Sequence, residues 1–325
     1  MYAIRFENLY YPKIWGGRSM EAFRVDLPQG NIGESWDVAC HKNGMSIVTN
    51  GEYKGMALDK LIEKLGDKLL GTKITKDRFP LLLKVINAKD KLSLQVHPDD
   101  EYGLQYENDL GKTEAWYVMD VEEGANLIVG TKDCTKEKFI DAIKNGTFDE
   151  CVNKVYVKKG EVYFVKSGLV HGIGEGVTVV EIQQNSDTTY RVYDYNRGRE
   201  LQIEKALDVI DFSLKGKKSE GIKISYNGYE KVYYCLNPYF CLEKYTISET
   251  MMEESDEERF FILTCVDGCG TLEYADGNEK IKKGDSIFIP ASLGQYRITG
   301  QLELLKSYVP DVKKVEKEIL DIIEK

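Results

Sequence analysis

The sequence predicts a mainly β protein with two tandem β domains and helical insertions. Valine, isoleucine and tyrosine recur in short runs interrupted by glycine, as in KVYVKKGEVYFV and GTLEYADGNEKIKKGDSIFIP. The pairs Asn227-Gly228 and Asp276-Gly277 are typical of hairpin turns. Helical periodicity is confined to four segments, which are 56–71, 135–146, 200–212 and 312–325.

Length and charge limit the function classes. The 325 residues suffice for about two domains of usual size. With 44 basic and 54 acidic residues the formal charge is −10, which disfavours a general nucleic-acid binder. Apolar runs are far shorter than the ~20 residues that cross a bilayer, and no secretory signal is visible at the N-terminus. We therefore expect a cytoplasmic protein that binds neither nucleic acid nor membrane.

Cysteine and histidine usage narrows the metal chemistry. The seven cysteines include no CxxC pair, so neither a disulfide framework nor a cysteine zinc knuckle is indicated. Only three histidines exist, His41, His97 and His171. His41 begins the turn-like HKNG, and we expect it in a surface loop.

An internal repeat supports the two-domain division. KKGEVYFVKSGLVHGI (158–173) aligns without gaps to the start of KKGDSIFIPASLGQYRI (282–298). Eleven residues after the glycine stands His171 in the first copy and Gln295 in the second. This pattern resembles that of cupins, which are double-sheet jelly rolls. We expect a catalytic, metal-binding cupin over 1–214, a degenerate second cupin over 222–311 and a C-terminal helix over 312–325, with the polar segment 215–221 as linker.

Four residues could form a metal site with nitrogen and oxygen ligands. In KLSLQVHPDD the residues alternate with period two, which places Gln95 and His97 on one strand face. Glu114 lies on the same strand face as Trp116. A charged residue on an otherwise apolar strand face indicates that the face lines a cavity and is not exposed to solvent. Each histidine alone could be an ordinary polar residue. Together with His171 at its cupin position they favour a divalent ion such as Zn²⁺, with room left for water or substrate.

The chain closely resembles type I mannose-6-phosphate isomerases in their shorter bacterial form. Five motifs carry the resemblance in the same order and cover roughly residues 5–200. They are YPKIWGG (11–17), IGESWDVA (32–39), LLLKVINAKDKLSLQVHPDD (81–100), GKTEAWYV (111–118) and HGIGEGVTVVEIQQNSDTTYRVYDYNR (171–197).

The resemblance implies a zinc enzyme, one ion per chain, that interconverts mannose 6-phosphate and fructose 6-phosphate. It implies that Arg191 is catalytic. Glu181 aligns with a residue of the longer family members only if the loop after His171 is one residue longer here than in those members. Longer family members have a histidine shortly after the tryptophan motif, but His41 is offset from that position, so a catalytic role is not implied for it. The family's zinc ligands fall on Gln95, His97, Glu114 and His171, and its residues at the phosphate or its surroundings fall on Ser93, Lys112 and Arg197.

Moving a carbonyl between C1 and C2 of a sugar proceeds through an enediolate, whose oxygens need nearby positive charge. Arg191 stays protonated, so its expected task is to stabilise that charge. The proton carrier stays open among Glu181, a zinc-bound water and a residue not identified. Glu181 could instead orient a zinc-binding histidine or pair with an arginine.

The arginines constrain the chain path. Arg191 and Arg197 share strand parity, but six extended residues span ~20 Å. Both reach one substrate only if the chain bends, and the stretch with Asp194 and Asn196 could bend. Because the overall charge opposes a phosphate, Lys112, Arg191 and Arg197 must form a local positive pocket.

Two other functions are compatible with a cupin metal site. An Fe(II) oxygenase would consume oxygen, but it leaves the phosphate-type residues unexplained. A non-enzymatic sugar-binding cupin would still bind its ligand without metal. For the isomerase, the expected partner is a small phosphosugar, and the chain is expected to be a monomer or a homodimer.

Overall fold

The structure is a computed structural model and describes residues 1–324. As predicted, it is mainly β, and the paired strands are antiparallel. The strands are β1 (Leu9–Gly17), β2 (Ile32–Val38), β3 (Cys40–His41), β4 (Gly44–Met45), β5 (Leu81–Ala88), β6 (Leu94–Val96), β7 (Glu114–Val121), β8 (Asn126–Thr131), β9 (Val152–Tyr156), β10 (Val162–Val165), β11 (His171–Ile173), β12 (Val177–Gln184), β13 (Tyr190–Tyr193), β14 (Lys218–Ser219), β15 (Ile222–Tyr226), β16 (Tyr229–Leu236), β17 (Cys241–Ile247), β18 (Thr250–Glu254), β19 (Phe261–Tyr274), β20 (Gly277–Lys282), β21 (Ser286–Ile289) and β22 (Gln295–Tyr308).

Each of the four helical segments predicted from periodicity contains a helix, although Lys325 of the last segment lies outside the described residues. A further helix begins after Asp99, whose carboxylate accepts a hydrogen bond from the backbone N–H of Tyr102 as an N-cap. Within the described residues, no helix is long and apolar enough to span a membrane. The helices are α1 (Leu58–Leu65), α2 (Asp67–Leu70), α3 (Asp100–Tyr106), α4 (Lys136–Asn145), α5 (Ile203–Val209) and α6 (Val312–Ile323), with 3₁₀ turns at Ser19–Ala22 and Phe148–Glu150.

The chain divides into two compact units. One unit, here called the N-terminal cupin unit, comprises Tyr10–Ser35 and Lys84–Ser219. The other, the C-terminal cupin unit, comprises Met1–Leu9, Trp36–Leu83 and the chain from Glu220 onward.

These units differ in composition from the domain limits 1–214 and 222–311, which stay a prediction. The early segments join the C-terminal cupin unit through specific pairings: Ile4 bridges Phe288, and Ser286 donates a hydrogen bond to Asp37 Oδ2 at 2.8 Å. The predicted linker 215–221 is also partly structured, because β14 within it pairs with β10.

Two sheets make up most of the N-terminal cupin unit. The seven-stranded sheet has the order β1-β2-β5-β12-β7-β10-β14, and the five-stranded sheet has the order β13-β6-β11-β8-β9. Every residue of β5 and of β12 is buried, as expected for central strands covered on both faces. A core of aromatic and branched side chains includes Trp116, Val118, Leu127, Val165 and Val179.

Strand register positions the candidate site. In the five-stranded sheet, Gln95 on β6 stands opposite His171 on one side and opposite Arg191 on the other. Residues directly opposite each other point to the same face, so these three side chains form one row across three strands. In the seven-stranded sheet, β7 and β12 pair so that Glu181 stands opposite Trp116.

The C-terminal cupin unit contains an eight-stranded sheet, ordered β15-β16-β17-β22-β19-β20, with β18 beside β22 and β21 beside β19. Both predicted hairpins are confirmed: Tyr226 pairs with Tyr229 across Asn227-Gly228, and Tyr274 pairs with Gly277, so the second turn is Ala275-Asp276, one residue earlier than predicted. Gln295, the counterpart of His171 in the repeat, is exposed at the start of β22.

His41 lies in the short hairpin formed by β3 and β4, so the predicted turn is confirmed. Its side chain, however, is only 8% exposed, and the expectation of a surface position was wrong. The ring packs edge-on against Trp36 and its Nδ1 accepts a hydrogen bond from the backbone N–H of Asn43 at 3.2 Å.

Candidate active site

Three side chains from three separate segments converge in the N-terminal cupin unit. His97 follows β6, Glu114 begins β7 and His171 begins β11. The Nε2 atoms of His97 and His171 lie 3.5 and 3.6 Å from the two carboxylate oxygens of Glu114. One ligand atom from each residue lies within 4.8 Å of the others, and all three side chains are buried.

The backbone sets the tautomer of both histidines. His97 Nδ1 lies 2.9 Å from the carbonyl oxygen of Thr188, and His171 Nδ1 lies 2.8 Å from that of Leu169. A carbonyl only accepts, so each Nδ1 carries the proton and each Nε2 presents a lone pair towards Glu114. Burial lowers the pKa of His171 to about 4 and that of His97 well below its usual value, so both rings are neutral near pH 7.

The cluster fits a divalent cation. His97 Nε2 and both Glu114 oxygens are buried without a hydrogen-bond partner in residues 1–324. Lys112 Nζ is 3.1 Å from Glu114 Oε2 and forms an ion pair with it. Buried polar atoms rarely lack partners, and two neutral imidazoles with one carboxylate form a common donor set for zinc and similar ions.

Gln95 lies at the edge of this cluster. Its Nε2 is 3.3 Å from His171 Nε2, and its Oε1 accepts a hydrogen bond from Ser93 Oγ at 3.2 Å. As placed, the amide nitrogen faces the cluster. A half-turn of the amide would present Oε1 there instead, and amide orientation is set by the hydrogen bonds around it. Gln95 is therefore positioned to be a fourth ligand only in the flipped orientation.

A cavity of about 350 Å³ opens beside the cluster, and its wall includes His171, Gln95 and Ser93. Two tryptophans, Trp15 and Trp116, supply apolar wall. Five cationic side chains also line it, namely Lys13, Lys84, Lys112, Arg191 and Arg199.

Glu181 is buried between cations in this wall. Its Oε2 accepts a hydrogen bond from Trp116 Nε1 at 2.8 Å, and its Oε1 lies 3.8 Å from Lys84 Nζ and 3.9 Å from Lys112 Nζ. Burial raises the pKa of Glu181, and the negative charge of Glu114 raises it further. Since both histidines donate Nδ1–H to backbone carbonyls, Glu181 orients neither ring.

Lys112 is held as a cation. Burial alone would lower its pKa, but the carboxylates of Glu114, Glu181 and Asp187 outweigh burial and raise it above the usual value. Its ammonium therefore lies beside the metal-type cluster as a fixed positive charge.

The arginines are arranged differently from the sequence-based expectation. The chain does bend after β13, because Tyr195 and Asn196 adopt left-handed backbone conformations with φ of 54° and 59°. The bend nevertheless does not bring Arg197 to the cavity, since its guanidinium binds Asp194 and the Lys91 carbonyl. Arg199, two residues further on, lines the cavity instead.

Sequence reasoning missed several cavity residues, of which Lys84 is the clearest. It lies in the wholly buried strand β5, is 3% exposed, and has Nζ within 4 Å of Glu34, Glu181 and Asp187. The signal was a lysine inside the apolar run LLLKVINA, since lysine is almost never fully buried without a partner. Arg199 has the same strand parity as Arg191 and Arg197, which is the signal that could have drawn attention to it.

Two protein-family models match parts of this chain. The family model described as phosphomannose isomerase type I, catalytic domain, matches residues 3–128, and that described as mannose-6-phosphate isomerase, cupin domain, matches residues 230–309. The second match confirms the cupin resemblance of the C-terminal copy.

Several relatives are similar along nearly their whole length. A mannose-6-phosphate isomerase of Streptococcus mutans is 36% identical over 309 residues, covering 93% of this chain and 96% of that protein. One of Bacillus subtilis is 36% identical over 311 residues, covering 94% and 98%. The crystal structure of the mannose 6-phosphate isomerase from Bacillus subtilis superposes with a TM-score of 0.89 at 33% identity, covering 94% of this chain and 99% of that one.

More distant structures share the fold. A mannosephosphate isomerase described as putative, from Archaeoglobus fulgidus, has a TM-score of 0.77 at 22% identity over 94% of this chain and 97% of its own. Sequence identity of 36% across almost the full length of the nearer relatives decides the family. The chain belongs to the type I mannose-6-phosphate isomerase family of enzymes.

Proposed function

We propose that the protein interconverts mannose 6-phosphate and fructose 6-phosphate as a zinc-dependent aldose–ketose isomerase, through an enediolate intermediate. The observation that carries this proposal is the buried cluster of His97, Glu114 and His171, with its unpartnered donor atoms, beside a cavity lined by cations. The substrates named for the relatives match a cavity of this charge.

His97, Glu114 and His171 would hold one zinc ion per chain, with Gln95 as a fourth ligand in its flipped orientation. Bound zinc would supply positive charge that polarises the oxygens on C1 and C2 of the sugar. The choice of zinc is part of the proposal, since such sites also accept cobalt, manganese or iron. The two backbone carbonyls fix both rings so that Nε2 stays available.

Glu181 is our proposed proton carrier between C1 and C2. A carboxylate with a raised pKa is a better acid and base near neutral pH than an ordinary one. Trp116 and the two lysines around it hold its position and favour its charged form. Arg191 cannot release a proton, so it would stabilise negative charge on the enediolate oxygens.

Three further residues were predicted to lie at the substrate phosphate or its surroundings. Ser93 lines the cavity and Lys112 lies beside Glu114, so we propose that both belong to the surroundings of the phosphosugar and not to the group that holds its phosphate. Arg197 is left out of the proposal, because its guanidinium is engaged by Asp194 and by the Lys91 carbonyl. A cytoplasmic location, a monomeric or homodimeric state and the domain limits 1–214 and 222–311 also remain proposals.

The test follows fructose 6-phosphate formation from mannose 6-phosphate by the purified protein, before chelation, after chelation and after zinc is restored. We expect activity to disappear with the metal and to return with zinc. His97→Asn should lose both zinc and turnover, whereas His41→Asn, in the third histidine, should keep one zinc per chain.

Full activity in protein shown by metal analysis to be free of bound metal would contradict the proposal. Oxygen consumption with added Fe(II) would favour an oxygenase. Sugar-phosphate binding by the metal-free protein, with no turnover under any metal, would favour a binding protein.

A further inference from the structure

The lysines that line the cavity are each balanced by a nearby carboxylate. Lys13 Nζ lies 3.0 Å from Glu34 Oε1, and Lys112 Nζ lies 3.1 Å from Glu114 Oε2. Lys84 lies within 4 Å of three carboxylates, one of them Glu34. At this end of the cavity the positive charge is therefore already compensated.

The arginine end differs. Arg191 has no carboxylate within 4.0 Å in residues 1–324, and its Nη1 donates only to the carbonyl of Glu200 at 2.7 Å. Its Nε is buried without a hydrogen-bond partner. Arg191 stands in the same row as Gln95 and His171, two strands and therefore about 10 Å from His171. An anion held near Arg191 would lie at the far end of the row from the metal-type cluster.

Arg199 adds a second guanidinium at this end. Its Nε donates to Asp194 Oδ2 at 2.9 Å and its Nη2 binds Asp194 Oδ1, while Nη1 has no partner among the described residues. Asp194 is only 3% exposed and thus fixes Arg199 against the cavity wall. An arginine held this way presents its free N–H groups in a fixed direction, which suits phosphate oxygens.

Arg197 has no such freedom. Its Nε donates to the Asp194 carbonyl at 3.1 Å, its Nη2 to Asp194 Oδ1 at 2.9 Å and its Nη1 to the Lys91 carbonyl at 2.8 Å. Its Nη1 also lies 3.3 Å from Asp90. All three nitrogens are engaged, so Arg197 stabilises the bend and the buried carboxylate that Arg199 uses.

We propose that Arg199 binds the phosphate group of the substrate, on the side of Arg191 that faces away from the metal-type cluster. Arg197 and Arg199 share the buried carboxylate of Asp194, and the Nη1 group of Arg199 is left to bind a phosphate oxygen. The sugar then lies along the row, with its reacting carbons between His171 and Arg191 and its phosphate beyond Arg191. This inference rests on the proposed function and names the phosphate contact of that same site.

The test compares Arg199→Ala with the wild type. We expect the KM for mannose 6-phosphate to rise roughly 10- to 100-fold, as for loss of a hydrogen bond to a charged group, with kcat changed by less than about threefold. Inorganic phosphate, used as a competitive inhibitor, should lose affinity by a similar factor, while zinc content stays the same. Arg199→Lys keeps an ion pair with Asp194 but loses the planar fork, so its KM should also rise in a protein that retains its fold.

Two arginine variants complete the design. Arg297→Ala removes an exposed arginine that pairs with Glu273 in the C-terminal cupin unit, and it should leave the KM unchanged. Arg197→Ala should lower the melting temperature but raise the KM clearly less than Arg199→Ala does.

An unchanged KM and phosphate affinity in both Arg199 variants would overturn the inference, and so would an Arg197→Ala effect on KM as large as that of Arg199→Ala. Failure of the proposed function is distinguishable, because it would show as a wild type that does not isomerise mannose 6-phosphate. In that case calorimetry with inorganic phosphate still decides whether Arg199 forms an anion site.

Discussion

Asp109 supports the metal-type cluster without being a ligand. Its Oδ2 accepts hydrogen bonds from the backbone N–H of Asp187 at 3.2 Å and from the hydroxyls of Thr188 and Ser186 at 3.3 Å each. The carbonyl of Thr188 in turn accepts the Nδ1–H of His97. One buried carboxylate thus holds the segment that sets the orientation of a proposed zinc ligand.

Asp109→Ala would remove the acceptor of the Asp187 N–H and of the Thr188 hydroxyl, whereas the Ser186 hydroxyl would keep the Leu110 carbonyl, 2.8 Å away. Hydrogen bonds to a charged group contribute about 1.5–3 kcal/mol each, but they are not additive within one network. We therefore expect ~2–4 kcal/mol less stability. Since partners that orient a metal-binding histidine typically affect affinity by 10- to 100-fold, zinc binding should weaken by about that factor.

The assay is a competition for zinc between the protein and a chromophoric chelator. Asn237→Ala is the matched control, because Asn237 Oδ1 also accepts from two backbone N–H groups, those of Tyr239 and Phe240, but in the C-terminal cupin unit. It should lower the melting temperature without changing zinc affinity. If Asp109→Ala bound zinc as tightly as the wild type, the reasoning that links the Thr188 carbonyl to His97 would be refuted.

Three further predictions concern Glu181, Trp116 and His171. Glu181→Gln should lose most turnover while keeping its zinc, and a variant that loses zinc instead would show that Glu181 supports the metal site. Trp116→Phe removes the indole N–H that stabilises the charged form of Glu181, so the pKa of Glu181 should rise. The acid limb of the pH profile of kcat/KM should then move up by about one pH unit. If this limb does not move, Glu181 is not the group whose titration it reports. In chelated protein, burial lowers the pKa of His171 to about 4, so between about pH 6.5 and 4 the unfolded chain binds more protons than the folded one. As the pH is lowered across this window, His171 should reduce stability by ~3 kcal/mol, and His97, whose pKa burial also lowers, should add to the loss. Denaturant titrations that show no such fall would contradict a buried neutral His171.

Local patterns carried much of the prediction. Alternation in KLSLQVHPDD placed Gln95 and the strand before His97 correctly, because side chains in a strand change face at every residue. The repeated KKG motif reflects a real turn, since Gly160 and Gly284 both have positive φ, 89° and 92°. Helix α3 was missed because its Asp99 cap precedes only seven helical residues without a clear apolar period.

By itself, the sequence determined the β class, the repeat, the family resemblance and the choice of His97, Glu114 and His171 as ligand candidates. These depend on residue type and on spacing along one strand or one turn, which are local properties. The tertiary structure alone decided which arginine faces the cavity, because a left-handed bend at Tyr195 and Asn196 cancels the strand parity between Arg191 and Arg197.

It also decided which groups surround each buried charge. Lys84, on β5, is placed among carboxylates from β2, from β12 and from the chain beyond β12, which are distant in sequence. The tautomer of His97 likewise depends on the carbonyl of Thr188, which is 91 residues away along the chain. Such partners are set by the register of non-local strand pairing, and no pattern within a single segment records that register.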